Sequence, residues 1–237
     1  MSARTVAYGD YQSQYAELHL PGGHPRGVVV VIHGGFWKAE YDAGLGWPLA
    51  ASLAEHGWAA WNLEYRRVGG AVPGGGGGTP ATFDDVAAGV DKLTELGLDL
   101  STVVTLGHSA GGHLATWVGG RSALVTGVIS QAGVLDLRAA YADGLGGGAV
   151  EALLGHPPGP ADDVYDPVVQ APLDVPVWCV HGTDDVVVPI AQSESYVDAS
   201  GGAAELVRVD GDHFVVIDPT SAAWRRTLAI LDSLQRG

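Results

Sequence analysis

The stretch "STVVTLGHSAGGHLA", residues 101–115, decides the fold. An apolar run rich in β-branched residues leads to Gly107, and the helix-forming run "HLATWV" follows a few residues later. Between them, Gly107, Ser109 and Gly111 fit the pattern G-x-S-x-G. A serine in a tight turn from strand to helix has strained backbone angles, and side chains two residues away on either side would collide. The stretch therefore predicts a strand, a sharp turn and a helix, with the Ser109 hydroxyl raised at the carboxyl end of a sheet.

The rest of the chain alternates in the same way between apolar strand patterns and helical patterns. The strand patterns occupy residues 27–32, 58–65, 101–107, 123–130, 175–182 and 204–210, and the helical ones occupy 44–56, 82–96, 110–120, 190–200 and 219–235. Such alternation predicts an α/β fold, a mostly parallel central sheet with helices on both faces. We expect residues 1–237 to form a single domain.

Two segments interrupt this alternation. Residues 68–80, "VGGAVPGGGGGTP", are too rich in glycine for regular structure and predict a mobile loop. Residues 135–172 combine helical fragments with many turn residues, which predicts a small irregular excursion over one end of the sheet, near the active site.

Composition excludes several classes of partner. The chain has 12 basic and 27 acidic residues, and its net charge of -15 would repel nucleic acids and anionic membrane surfaces. Its longest unbroken apolar run, Val28 to Ile32, is far shorter than the ~20 residues of a membrane helix. The N-terminus lacks the apolar core of a signal peptide, so we expect a cytoplasmic protein. Cys179, the only cysteine, lies in an apolar strand pattern and is expected to be a buried thiol.

Ser109 needs a base to become a nucleophile, and the base needs a carboxylate to hold its tautomer. In this architecture the acid and then the histidine follow the serine along the chain. Of the histidines well beyond Ser109, His156 lies in the irregular excursion and His181 would precede its own acid. His213 lies in the loop after the last strand and is the preferred base.

The acid is expected in "TDDVVVP", the loop after the strand that contains Cys179. The spacing to the next helix favours Asp185, while Asp184 and Asp212 stay open as alternatives. We expect no metal and no cofactor, because the histidines have neither H-x-H nor H-E-x-x-H spacing.

A second glycine-rich turn follows the apolar run 28–32 in "VVVVIHGGFW". Two glycines at that point serve either as a simple turn or as a way to expose backbone N–H groups to a ligand. With a nucleophile at Ser109, the second interpretation predicts an oxyanion hole from the N–H groups of Phe36 and Ala110, assisted by Gly35.

Four further side chains are singled out near this turn. Trp37 and Phe214 are expected to wall the substrate pocket. Arg66 and Arg67 end a strand on the same edge, where they either clamp a substrate carboxylate or tie loops together through nearby acids.

These motifs resemble the α/β-hydrolase superfamily and, within it, the kynurenine formamidase-like esterases. The resemblance rests on "HGGFW" (33–37), "GHSAGGHLA" (107–115), "HGTDDVVVP" (181–189) and "DHFVVIDP" (212–219), and on "YGDYQSQYAELHLP", "EYRRVGG" and "PATFDDV". It thus spans nearly the whole chain. General carboxylesterases and carbohydrate-ester hydrolases are similar in the same motifs.

The resemblance implies a serine hydrolase that cleaves a small carboxylic ester or an aryl formamide through an acyl-enzyme. The expected partner is a small-molecule acyl substrate, and the sequence does not decide between a monomer and a homodimer. Because the H-G-G motif begins after 32 residues, we expect a minimal cap and an open pocket. Two other functions stay open: an inactive binding protein on the hydrolase scaffold, and an acyltransferase or cyclase with the same triad.

Overall fold

The computed structural model describes residues 3–70 and 73–234. Within them, eight strands form one sheet in the order β1-β2-β4-β3-β5-β6-β7-β8. The strands are β1 (Arg4–Ala7), β2 (Tyr15–His19), β3 (Val28–Ile32), β4 (Ala59–Leu63), β5 (Val103–His108), β6 (Gly127–Gln131), β7 (Val177–Gly182) and β8 (Ala204–Val209). All neighbouring pairs from β4 to β8 are parallel, whereas β1 pairs antiparallel with β2 and β2 with β4.

Helices cover both faces of the sheet. They are α1 (Trp47–Glu55), α2 (Ala81–Asp91), α3 (Ala110–Gly119), α4 (Leu137–Ala142), α5 (Ala149–Leu154), α6 (Pro167–Gln170), α7 (Ala191–Ala199) and α8 (Ala222–Ser233). Helices α1 and α8 supply residues to the apolar core on one face, and α2, α3 and α7 supply residues to the core on the other. The mostly parallel α/β architecture predicted from the sequence is confirmed.

Strand β3 shows why its sequence does not alternate between apolar and polar residues. Val28, Val30 and Ile32 pack in one core, and Val29 and Val31 pack in the other. A central parallel strand is covered on both faces, so every position favours an apolar side chain.

The sequence patterns located the six strands β3 to β8 and missed the edge hairpin of β1 and β2. Strand β1 is almost wholly exposed, and β2 buries its residues alternately over only five positions. So short and partly polar a pattern carries little signal, and it is the pairing of β2 with β4 that stabilises the hairpin.

The two irregular segments are held by backbone contacts. Residues 135–172 contain α4, α5, α6 and two 3-10 turns, as the helical fragments in the sequence indicated. In the glycine-rich loop 68–80, residues 71 and 72 lie outside the described residues. Beyond them, Gly77 N–H donates to the Arg67 carbonyl and Thr79 N–H to the Leu153 carbonyl, both bonds joining the loop to neighbouring segments. Residue 235, the last one predicted for the C-terminal helix, also lies outside the described residues.

None of the helices in residues 3–70 and 73–234 combines the length and the apolar character needed to cross a bilayer. Cys179 is buried, as predicted, and burial raises the pKa of its thiol to about 12.

Candidate active site

The turn that presents Ser109 joins β5 to α3. Its backbone has φ of +56°, a left-handed conformation that costs an L-residue about 1 kcal/mol or more. A Cβ on Gly107 would lie 2.0 Å from the carbonyl oxygen of Gly111, and a Cβ on Gly111 would lie 2.0 Å from that of Ile32. These are backbone atoms that cannot move aside, so glycine is required at both positions.

The loop from His33 to Trp37 packs directly against this turn. A Cβ on Gly34 would lie 3.0 Å from the Cβ of Ser109. The next three residues, Gly35, Phe36 and Trp37, all have positive φ, at +104°, +51° and +56°. Three consecutive residues with positive φ turn the chain sharply after β3, at the point where Gly34 packs against the Ser109 turn.

The amides predicted to form an oxyanion hole are not used in hydrogen bonds to other described protein groups. Among the residues that the structure describes, the N–H groups of Gly35, Phe36 and Ala110 make no hydrogen bond. Ala110 is also the first residue of α3, where the helix dipole favours negative charge. The arrangement is chemically suited to an anion close to Ser109.

The two predicted pocket residues differ in exposure. Trp37 is only 1% exposed, and its ring meets His113 edge to face at 5.2 Å. It therefore lies in the core, where it anchors the loop and offers no open wall to a substrate. Phe214 is 57% exposed and lies against the His213 ring, with 5.3 Å between the ring centroids.

Asp185 and His213 come together from the loops after β7 and β8. His213 Nδ1 donates to Asp185 Oδ2 at 2.6 Å, and both side chains are buried. The approach of the two loops requires Gly182, because a Cβ there would lie 2.4 Å from the carbonyl oxygen of Gly211.

The other candidates for the acid do not reach the histidine. Asp184 is exposed, and Asp212 accepts from the amides of Phe214 and Val215 in its own turn. Of the three aspartates left open by the sequence, only Asp185 contacts His213 Nδ1.

Four donors surround the Asp185 carboxylate. Oδ1 accepts from the amides of Val187 and Val188 at 2.9 and 2.8 Å, and Oδ2 accepts from His213 and lies 3.2 Å from His181 Nε2. Burial by itself would raise the pKa of Asp185, but these hydrogen bonds outweigh it and hold the pKa well below its usual range. The carboxylate is therefore ionised at any pH near neutrality.

His108, next to Ser109, links the two halves of the site. Its Nε2 donates to the backbone carbonyl of His213 at 2.9 Å, and the two rings are 4.5 Å apart. Burial, followed by the charge on His213, lowers the pKa of His108 to about 3. A neutral His108 therefore holds the backbone of His213 beside the serine turn.

A second carboxylate network, around Glu64, supports the glycine loop. Oε1 of Glu64 accepts from His33 Nε2 at 3.1 Å and from the Tyr65 amide at 2.8 Å. Its Oε2 accepts from the Ala43 amide at 2.9 Å and faces Arg67 at 3.3 Å. Burial opposes ionisation, but these contacts lower the pKa of Glu64. Sequence reasoning placed Glu64 at the start of the motif "EYRRVGG" but assigned no role to its carboxylate.

The two arginines tie loops together. The Arg66 guanidinium makes two hydrogen bonds to Asp85, at 2.8 and 2.6 Å, and lies over the Tyr11 ring. Arg67 pairs with Glu64 and also lines an open cavity of about 700 Å³ with Lys38. Ser109, Asp185 and His213 are not among the residues that line this cavity.

The sheet order, the serine turn after β5 and the Asp-His loops after β7 and β8 define the α/β-hydrolase fold. A carbohydrate esterase from gut microbiota superposes with a TM-score of 0.83 at 18% identity, covering 100% of this chain and 97% of that one. Esterase B from Lactobacillus rhamnosis gives a TM-score of 0.82 at 22% identity, covering 99% and 86%.

Within that fold, the chain belongs to the BD-FAE family, whose model matches residues 17–199. It is 27% identical to Esterase LipC of Mycobacterium tuberculosis over 82% of this chain and 54% of the relative. It is 28% identical to the isoprenylcysteine alpha-carbonyl methylesterase ICME of Arabidopsis thaliana over 88% of this chain and 55% of the relative. The chain thus spans about half the length of these curated relatives.

Proposed function

We propose that the protein is a serine hydrolase that cleaves small carboxylic esters. The observation that carries the proposal is the strained Ser109 turn, with free amides on one side and the buried Asp185–His213 pair on the other. Membership of a family of esterases and similarity to Esterase LipC support an ester as the substrate.

In the proposed mechanism, Ser109 Oγ attacks the ester carbonyl while His213 Nε2 accepts the hydroxyl proton. Asp185 stabilises the imidazolium that forms and keeps the proton on Nδ1. The amides of Phe36 and Ala110, assisted by Gly35, hold the oxyanion. The imidazolium then protonates the leaving alcohol, and a water molecule activated by His213 releases the acid from Ser109.

The test is labelling by a fluorophosphonate probe together with hydrolysis of p-nitrophenyl acetate. We expect Ser109→Ala to abolish both, while Ser101→Ala, in the exposed turn before the opposite end of β5, retains both. Intact labelling of Ser109→Ala, or a folded wild-type protein that neither reacts with the probe nor hydrolyses the ester, would refute the proposal. The second result would favour a binding protein on the hydrolase scaffold.

An aryl formamide is the second candidate substrate. The exposed ring of Phe214 beside His213 favours an aromatic group in the substrate, in either bond class. Rates on N-formylkynurenine and p-nitrophenyl acetate, measured side by side, separate the two bonds, and negligible formamide turnover would eliminate the formamidase. Adding an alcohol as a competing acceptor and measuring ester product distinguishes hydrolysis from acyl transfer.

A further inference from the structure

We propose that His181 is a positioning residue that shares the acid Asp185 with His213 and sets the basicity of His213. The inference rests on the proposed function, because it concerns the same acid and base. The sequence set His181 aside as a base, since it precedes its acid. The spacing of His181 and Asp185, four residues apart around a turn, was the signal that it could contact the carboxylate.

The tautomer of His181 follows from its neighbours. Its Nε2 lies 2.9 Å from the Val188 carbonyl and 3.2 Å from Asp185 Oδ2, both of which only accept hydrogen bonds. Its Nδ1 lies 2.8 Å from the hydroxyl of Ser193, which can donate. A neutral ring with the proton on Nε2 donates to the Val188 carbonyl and accepts from Ser193, and it holds the same N–H 3.2 Å from Asp185 Oδ2 as an electrostatic contact.

This contact places a fourth N–H group around Asp185. Two backbone amides donate to Oδ1, His213 donates to Oδ2, and the His181 N–H lies beside Oδ2. Together these groups hold the carboxylate in the orientation that faces His213. Because the negative charge on Oδ2 is shared, it also stabilises protonated His213 less than an undivided charge would.

The other titratable groups around the site do not obscure the effect of His181 on the His213 titration. His108, whose ring faces His213, has its pKa lowered to about 3 by burial, and Cys179 has its pKa raised to about 12 by burial. Neither of these two groups changes charge between pH 5 and 9. Asp184 is exposed to solvent, and Asp212 is held by the amides of its own turn.

The experiment compares three variants: His181→Phe removes the donor, His181→Gln keeps an N–H donor, and Ser193→Ala perturbs the same buried cluster without touching Asp185. The titration of His213 is followed by NMR in the free protein, and the pH profile of kcat/KM is measured on p-nitrophenyl acetate. We expect His181→Phe to raise the pKa of His213 by about half a pH unit or more, with His181→Gln close to the wild type. Ser193→Ala is expected to change stability and leave the titration in place.

An unchanged His213 titration in His181→Phe, or an equal shift in Ser193→Ala, would overturn the inference. If His181→Phe does not fold, His181→Asn, whose shorter amide ends away from Asp185, replaces it with the same expectations. The NMR titration needs no turnover, so it separates the two proposals. A shift in a protein without esterase activity would refute the proposed function alone, and esterase activity with an unshifted titration would refute the role of His181 alone.

Discussion

Two buried carboxylate–imidazole pairs flank Ser109, and they differ in one respect that matters for chemistry. Glu64 pairs with His33 beneath the glycine loop, and Asp185 pairs with His213 on the other side. Each carboxylate is surrounded by four donors, and the pKa of each is lowered. A buried carboxylate that is kept ionised by surrounding donors and paired with a histidine thus occurs twice in one site.

The difference lies in the histidines. His33 has both ring nitrogens engaged, Nδ1 with the Gly34 carbonyl at 2.8 Å and Nε2 with Glu64, and its ring is stacked on Tyr65. His213 has Nδ1 on Asp185, and its Nε2 makes no hydrogen bond to any part of the chain that the structure describes. The Glu64–His33 pair is closed, because both ring nitrogens of His33 are bound, and it can only hold a loop. The Asp185–His213 pair is open, because Nε2 of His213 is free of partners among the described residues, and it can move a proton.

The largest expected effect comes from breaking the open pair. Asp185→Asn keeps the shape but removes the charge and favours the wrong tautomer of His213, so kcat should fall by roughly 10⁴-fold with a stable fold. Steady-state rates on p-nitrophenyl acetate measure it. The exposed neighbour gives the control, Asp184→Asn, which should keep wild-type rates. An equal loss in that control would mean that Asp185 is not the acid.

Breaking the closed pair should affect stability more than chemistry. Glu64→Gln leaves Arg67 without its counter-charge and His33 without its carboxylate partner in a buried position, which is expected to lower the free energy of unfolding by about 3 kcal/mol. Activity should fall by only about tenfold, through displacement of the loop that carries the Phe36 amide. Urea unfolding and kcat are measured for Glu64→Gln and for a control variant, Glu55→Gln, whose side chain lies on the exposed side of α1. A larger loss of kcat than in Asp185→Asn would reverse our assignment of the two pairs.

A third carboxylate tests whether the number of donors decides the direction of the pKa shift. Asp166 is buried with one side-chain hydrogen bond, from the Leu137 amide, and burial raises its pKa to about 6. The folded state therefore favours the protonated form, and stability is lost as the pH rises from the unfolded value through about 6.

Asp166→Asn removes this titration and keeps the acceptor. Relative to the variant, the wild type should lose about 2 kcal/mol of unfolding free energy between pH 4 and pH 7. Because the two proteins differ only at position 166, the pH-dependent contributions of all other groups cancel in the difference. Urea unfolding across that range measures it, and a difference that does not vary with pH would contradict the expectation.

The smallest expected effect concerns the aromatic ring that covers the open pair. Phe214 is mostly exposed, so Phe214→Ala should change the unfolding free energy by less than about 1 kcal/mol. If the ring contacts the acyl group of the substrate, kcat/KM should fall by about tenfold for p-nitrophenyl benzoate, whose acyl group is aromatic, and little for p-nitrophenyl butyrate, which has the same leaving group and an alkyl acyl group. Equal losses on both classes would instead indicate that the ring supports His213.

Much of this arrangement could be predicted because its causes are local. The apolar run of β3 and the glycines of the Ser109 turn have their cause within a few residues, and the sequence therefore indicated the strand, the turn and the neighbouring helix. The chain order of serine, acid and histidine reduced the candidates for the base to His213. The spacing to the next helix favoured Asp185 as the acid, but it did not exclude Asp184, its neighbour in the same turn, or Asp212 beside the histidine.

The sequence by itself determined the class of fold and the residue types at the serine turn, since backbone strain and strand burial act within a few neighbouring residues. Only the tertiary structure decided which aspartate meets His213, that Trp37 is buried, and that His181 and Glu64 belong to the site. Some of those contacts join residues far apart in the chain. Others distinguish neighbours such as Asp184 and Asp185, whose local sequence is alike. Their free energy depends on burial and on the number of donors around each carboxylate, which exist only after the sheet has brought the loops together.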